Sequence, residues 1–88
     1  MEVVKRKGHK EKFDERKLYA SVYNACISVR SSDEQAENLA GIVAHELKQH
    51  YSDREQVSSV ELRRAAAEVL HRFHPEAGYI YETHKDIS

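Results

Sequence analysis

The sequence predicts an α+β fold that is mainly α: a four-helix bundle capped by a small β-hairpin or three-stranded lid. Apolar residues recur at helical spacing in three long segments after residue 14, whereas β-branched residues and a glycine turn occupy the first thirteen residues. A chain of 88 residues builds only a small core, because it buries about 60–65% of its unfolded surface. We therefore expect residues 1–88 to form a single domain.

The lid is expected at about residues 2–13, with a third strand at about 56–58. Val3-Val4 is β-branched, and Lys7-Gly8 offers a glycine for a tight turn. Residues 11–13 would then form the second arm of the hairpin. A two-stranded hairpin alone is marginally stable in water, so we expect the lid to lie on the helices.

Capping residues predict where the helices begin. Asp14 is a good N-cap for the first helix. Ser31 and Ser32 open two overlapping capping boxes before the second helix, and Ser58 opens another before the third. Pro75 suits the first position of the fourth helix. The helices are expected at about 15–30, 32–50, 59–73 and 75–85.

Apolar stripes predict which helix faces are buried. Small residues at Ala40-Gly41 and at 65–67 are expected to let helices approach closely. The expected buried residues are Leu18, Val22, Ala25, Cys26 and Val29 in the first helix, Ala36, Leu39, Ala40, Val43, Leu47 and Tyr51 in the second, and Leu62, Ala65, Ala66, Val69, Leu70 and Phe73 in the third.

Cationic residues are concentrated at the N-terminal end. Residues 1–17 carry seven Lys or Arg and four acidic residues, a net charge of +3, whereas residues 18–88 carry seven and eleven, a net charge of −4. Nucleic acid is an unfavourable partner for such an acidic body, because its binding needs many neutralised phosphates. A compact polyphosphate suits the basic end better, although a purely structural basic lid is an open alternative.

The chain has no segment typical of membrane or secreted proteins. No apolar run approaches the roughly 18 residues that span a bilayer, and Met1 does not lead into an apolar signal segment. The one cysteine, Cys26, cannot form an intrachain disulfide and suits a reducing compartment. We expect a cytoplasmic protein without membrane partners.

No catalytic or metal-binding constellation is found, so we expect no enzyme activity and no protein-bound metal. His45 and His50 are five residues apart, whereas a zinc-protease helix needs them four apart. His71 and His74 have no nearby Cys or Asp to complete a ligand set. Cys26 lies on an apolar stripe, where a buried thiol is more common than a nucleophile.

The N-terminal residues themselves favour anion binding. Lys5 and Arg6 are adjacent on a strand, so they leave it on opposite faces unless the hairpin twists. Lys17 lies one turn into the first helix, on the side of Ser21. No Walker sequence or dinucleotide glycine fingerprint is present.

These residues resemble the ATP-cone regulatory domain, found at the N-terminus of many ribonucleotide reductases and in their transcriptional repressor. The resemblance covers about residues 3–82. Lys7 departs from the family, which often has Asp there, and residues 77–85 match the family ending only loosely. The matching positions are Val3, Lys5-Arg6, Gly8, Glu11, Phe13-Asp14 and Lys17-Leu18.

The resemblance implies that ATP or dATP, with Mg²⁺, binds between lid and helices. Lys5, Arg6 and Lys17 would face the phosphates, and Glu11 with Phe13-Asp14 would lie near the base or sugar. Leu18 and Ser21 would line the pocket, and Ser58 would form a wall. The expected nucleotide-binding residues are Val4, Lys5, Arg6, Lys7, Glu11, Phe13, Asp14, Lys17, Leu18, Ser21 and Ser58.

The resulting expectation is a non-catalytic nucleotide sensor that acts on a protein partner or on its own oligomeric state. A free-standing domain and a piece of a larger enzyme are both compatible with the sequence. The alternative is a helical protein-interaction module whose basic hairpin contacts an acidic partner and binds no nucleotide.

Overall fold

The computed structural model describes residues 1–83, which form four helices and one small mixed sheet. This architecture confirms the predicted fold class, α+β and mainly α. The elements in chain order are β1 (Glu2–Val4), β2 (Lys10–Lys12), α1 (Glu15–Ser28), α2 (Asp33–His50), β3 (Gln56–Ser58), α3 (Ser59–Phe73) and α4 (Pro75–Thr83).

The three strands form one sheet in the order β2-β1-β3. β1 is antiparallel to β2 and parallel to β3, with Val3 opposite Glu11 on one side and Val57 on the other. Because directly opposite residues project to the same face, the buried Val3 and Val57 mark the face that lies on the helices. Gly8, with a φ of 85°, makes the turn between β1 and β2.

Side-chain caps begin three helices where the sequence predicts them. Asp14, Ser32 and Ser58 each accept a hydrogen bond from an amide two or three residues later, at 2.9, 3.1 and 3.0 Å. Of the two serines that open the overlapping capping boxes, only Ser32 caps α2. The Ser31 hydroxyl is buried and has no hydrogen-bond partner within the described part of the chain.

Helix α1 ends at Ser28, two residues before the predicted end. Arg30 takes the left-handed conformation (φ 65°), and its amide donates to the Ile27 carbonyl while the Ser31 amide donates to Cys26. This is a Schellman C-cap, which usually contains glycine. At the other end of the chain, α4 reaches Thr83, and predicted helix residues 84 and 85 lie outside the described residues.

The predicted apolar stripes meet in one core, against which Val29, Leu62 and Ala65 pack while only partly buried, and one residue lies outside it. Val22, Cys26 and Val43 are completely buried, whereas Phe73 is 51% exposed. The prediction of a buried Phe73 is therefore wrong, because Phe73 is the last residue of α3 and the chain turns there into α4. None of the helices described has both the length and the apolar character of a membrane span.

Helices α3 and α4 approach closely at a glycine that the sequence did not single out. A Cβ added at Gly78 would lie 2.7–2.9 Å from atoms of His71, so α4 contacts α3 there through its backbone. A Cβ at Gly41 would meet nothing within 4 Å. The prediction that Gly41 permits close helix packing is therefore wrong, because its Cα faces open space.

Candidate functional site

Two adjoining cavities lie between the lid and the bundle. The outer cavity has a volume of about 600 Å³, and the inner one of about 110 Å³. The outer cavity is lined by Lys5, Arg6, Lys7, His9, Lys10, Glu11, Ser59 and Arg63. The inner cavity is lined by Val3, Lys5, Glu11, Lys12, Phe13, Asp14, Lys17, Leu18, Ser21, Ser59, Leu62, Arg63 and Tyr81.

The register of the sheet decides which lid side chains reach both cavities. Glu11 is opposite Val3 and therefore projects toward the helices, and Lys5 follows Val3 by two residues. Arg6 lines only the outer cavity. Lys5 and Arg6 therefore share the outer cavity, and of the two only Lys5 also lines the inner one.

The outer cavity is strongly cationic. Five lining side chains are Lys or Arg, and Glu11 is the one carboxylate among its lining residues. Four of these cations come from the β1–β2 hairpin, and Arg63 comes from α3. Such a concentration of cations in a concave surface attracts an anion of several charges.

The inner cavity combines apolar walls with a hydroxyl pair. Phe13 and Leu18 supply apolar surface from the lid side and α1, and Leu62 supplies it from α3. Ser21 donates to the Leu18 carbonyl at 2.9 Å, so in its 3.0 Å contact with Tyr81 the tyrosine hydroxyl is the donor. The Ser21–Tyr81 bond joins α1 to α4 beside the cavity.

Burial raises the pKa of the Tyr81 hydroxyl above its ordinary value of 10.0. A hydrogen bond from Ser21 to the ionised oxygen and the charge of Arg63 act in the opposite direction. At neutral pH the hydroxyl is protonated, as in an ordinary tyrosine, and it can therefore donate to Ser21.

Glu11 lies where the two cavities meet and contacts two cations. Its carboxylate oxygens are 3.5 Å from Lys5 Nζ and 3.7 Å from Lys17 Nζ. Lys5, Glu11, Ser59 and Arg63 are the residues shared by both linings. The cavities therefore form one continuous site with an acidic side chain at its centre.

Most of the predicted nucleotide-binding residues line this site. Val4 and Ser58 line neither cavity. They are opposite each other in the sheet. Each directly follows one of the paired residues Val3 and Val57, so their side chains project to the other face of the sheet. The Ser58 hydroxyl caps α3. The predicted residues that line the site are Lys5, Arg6, Lys7, Glu11, Phe13, Asp14, Lys17, Leu18 and Ser21.

Sequence reasoning missed the contribution of the third and fourth helices. Ser59, Leu62 and Arg63 from α3 and Tyr81 from α4 all line the inner cavity. Ser59 and Arg63 are four residues apart, which places them on one helix face, but this spacing does not reveal what that face contacts. The other unpredicted lining residues are Val3, His9, Lys10 and Lys12.

The donor set of the site suits an anion better than a bare metal ion. Its two carboxylates are already engaged, Glu11 with lysines and Asp14 as an N-cap. No cluster of three or more His, Cys, Asp or Glu side chains occurs within residues 1–83. His45 and His50 are both exposed on α2.

Comparison with known proteins gives one match. The family model described as the ATP cone domain matches residues 1–84, which is nearly the whole chain. No curated protein matches the chain, and no solved structure matches it.

Proposed function

Because this chain belongs to the ATP cone family, whose members are nucleotide-binding regulatory domains, we propose that it is a non-catalytic sensor of ATP or dATP. Occupancy of the site would be transmitted to a protein partner or to the association of the chain with itself. The observation that carries this proposal is the continuous site, which is cationic in its outer part and partly apolar in its inner part.

The two parts of the site match the two ends of a nucleoside triphosphate. The phosphates would lie in the outer cavity, where Lys5, Arg6 and Arg63 can form charge-assisted contacts. The adenine would enter the inner cavity against the apolar side chains of Phe13 and Leu18. In this orientation the ligand contacts both the lid and the bundle.

Mg²⁺ is expected to arrive with the nucleotide. A triphosphate usually carries Mg²⁺ on its own oxygens with several retained waters, and it needs few protein ligands. The cation would offset part of the phosphate charge in the outer cavity.

Regulation requires that the ligand distinguish two states of the protein, because equal affinity for both shifts neither population. The lid has strands of only three residues each, and its strands bury only the side chains of Val3 and Val57. A nucleotide that bridges lid and bundle would favour the state in which the lid is closed. That difference in affinity is the signal in this proposal.

The proposal is tested by thermal unfolding with ATP, dATP, AMP and GTP, each with and without Mg²⁺. A ligand at about 100 times its Kd stabilises the folded state by about 2.7 kcal/mol, so ATP or dATP should raise the Tm by several degrees. Unchanged Tm values at millimolar ATP and dATP would contradict the sensor and favour the protein-interaction module.

Replacing Lys5 and Arg6 together by Ala should abolish the nucleotide-induced rise in Tm. The Tm without nucleotide should change little, because Arg6 is exposed and the Lys5–Glu11 ion pair is partly solvated. Ion pairs in contact with solvent contribute about 0–1 kcal/mol to stability. An undiminished nucleotide shift in the double variant would remove both residues from the site.

A further inference from the structure

Two tyrosines of α1 form a partly exposed aromatic pair outside the nucleotide site. Tyr19 and Tyr23 are four residues apart, their ring centroids are 6.4 Å apart, and their planes are inclined by 10°. The Tyr23 hydroxyl donates to Asp33 of α2 at 3.1 Å. Neither ring lines the outer or the inner cavity. Tyrosines held in place supply contact area at little cost in side-chain entropy, and tyrosine is enriched in protein interfaces.

The tyrosine pair lies along a groove between α1 and α2. Glu15 pairs with Lys48 at one end, at 3.3 Å, and Tyr23 contacts Asp33 at the other, so the two helices are antiparallel. Gly41 is seven residues before Lys48 and therefore lies on the same face of α2. A Cβ at Gly41 would meet nothing within 4 Å, which leaves the middle of the groove open.

The acidic side chains at the Tyr23 end of the groove are not neutralised by ion pairs. Asp33, Glu34 and Glu37 are exposed and take part in no ion pair among the described residues. Acidic residues in the first turn of a helix stabilise it through its dipole, which accounts for Asp33 and Glu34. Glu37 lies beyond that turn. Its charge, after the hydrogen bond to Asp33 and burial, is among the causes that raise the pKa of Tyr23, so Glu37 lies near that ring.

We propose that this α1–α2 face docks an arginine-bearing segment of a partner protein. A guanidinium is planar and lies against an aromatic ring while its N–H groups donate to a carboxylate. Lysine fits this arrangement less well, because its ammonium is a strongly hydrated point charge. The inference names the partner class of the sensor and rests on the proposed function for that role. The face comprises Tyr19, Tyr23, Asp33, Glu37 and Gly41.

Helix α1 connects the α1–α2 face to the nucleotide site. Lys17, Leu18 and Ser21 of α1 line the inner cavity, whereas Tyr23 of the same helix contacts α2. A nucleotide that shifts α1 relative to α2 would change the distance between the tyrosine rings and the carboxylates. By linkage, a partner bound at the face would then change the affinity for the nucleotide by the same factor.

The test is an NMR titration of the intact ¹⁵N-labelled chain without nucleotide. The probe is an alanine-based helical peptide with three arginines one turn apart, and matched peptides carry lysine or glutamine at those positions. The arginine peptide should bind about threefold or more tightly than the lysine peptide. Its largest amide shifts should occur at Tyr19, Tyr23 and Gly41. Equal Kd values for arginine and lysine, equal binding of the glutamine peptide, or shifts confined to other surfaces would overturn the proposal.

Matched substitutions test the individual contacts. Tyr19→Ala and Glu37→Gln should each raise the Kd of the arginine peptide about threefold or more. Tyr79→Ala and Glu68→Gln remove the same groups from exposed positions on α4 and α3 and should leave that Kd within about twofold. Unfolding curves verify that each variant is folded, and the exposed Glu37→Gln decides the question if Tyr19→Ala does not fold. Equal changes in the target and control variants would refute the assignment.

A second copy of the chain is the competing occupant, because its basic lid also carries arginine. Sedimentation of the chain alone tests this: a dimer that Glu37→Gln dissociates would assign the face to self-association and overturn the proposal. The sensor is tested separately, by the ATP-induced rise in Tm without peptide. That rise without peptide binding refutes only the docking face, whereas peptide binding without the rise refutes only the sensor.

Discussion

Two adjacent arginines of α3 allow a test of the site at the level of single residues. Arg63 lines both cavities, and Arg64 lines neither and is exposed. A hydrogen bond to a charged group contributes about 1.5–3 kcal/mol, so Arg63→Ala should weaken ATP binding by about tenfold or more. Arg64→Ala removes the same charge and should leave the Kd within about twofold. Calorimetry of both variants makes the comparison, and equal Kd values would exclude Arg63 as a ligand.

We expect the folded protein to lose stability at alkaline pH when Tyr81 ionises. Burial raises the pKa of its hydroxyl above 10.0 in the folded state, so the folded protein holds this proton more tightly than the unfolded chain. The stabilisation is fully present below about pH 10 and is lost as the pH rises through the folded pKa. Urea unfolding at about pH 9 and pH 11 should show a larger loss for wild type than for Tyr81→Phe.

The comparison with Tyr81→Phe isolates this hydroxyl, because all other titrating groups are common to both proteins. At pH 7 the variant should itself be about 1 kcal/mol less stable, since it lacks the hydrogen bond to Ser21. Equal alkaline losses in the two proteins would mean that Tyr81 titrates alike in the folded and unfolded states.

At the scale of elements, two helical glycines should respond oppositely to alanine. Gly78→Ala would force a methyl group to within 2.7–2.9 Å of His71, including its backbone Cα, and should destabilise the fold by about 1–3 kcal/mol. The methyl group that Gly41→Ala adds meets open space, so this substitution should stabilise α2 by up to about 1 kcal/mol. Denaturant unfolding of both variants measures these changes, and a stabilised Gly78→Ala would show that α3 and α4 are not so closely packed.

The elements also show where local sequence patterns suffice. Asp14, Ser32 and Ser58 cap their helices as predicted, because a cap depends on residues within one turn. The C-terminal end of α1 was predicted too late, because Arg30 takes the left-handed conformation that usually indicates glycine. Phe73 continues the apolar pattern of α3 into a region where the bundle does not cover it.

At the scale of the whole molecule, the lid is the part that a ligand should stabilise most visibly. Its short strands are held by hydrogen bonds such as Lys5 N–H to His9 (2.7 Å) and Phe13 N–H to Met1 (2.9 Å). A nucleotide that bridges lid and bundle reduces local opening. Amide hydrogen exchange at Lys5 and Phe13 should therefore slow with saturating ATP, as measured by NMR.

The turn amide of Arg54, which bonds to Tyr51, serves as the internal reference for that measurement. Arg54 is exposed and lines neither cavity, so its exchange rate should be unaffected. If ATP raises the Tm while lid exchange is unchanged, the nucleotide binds without contacting the lid.

Local patterns predicted the helices and the turn at Gly8, because caps, glycine dihedrals and apolar periodicity act over a few residues. Tertiary structure decided which side chains line the site. The sheet register separates Lys5 and Glu11 from Val4, and packing places Tyr81 against Ser21, 60 residues away in sequence. Contacts between distant segments depend on how whole elements pack, and no local pattern of residues encodes that arrangement.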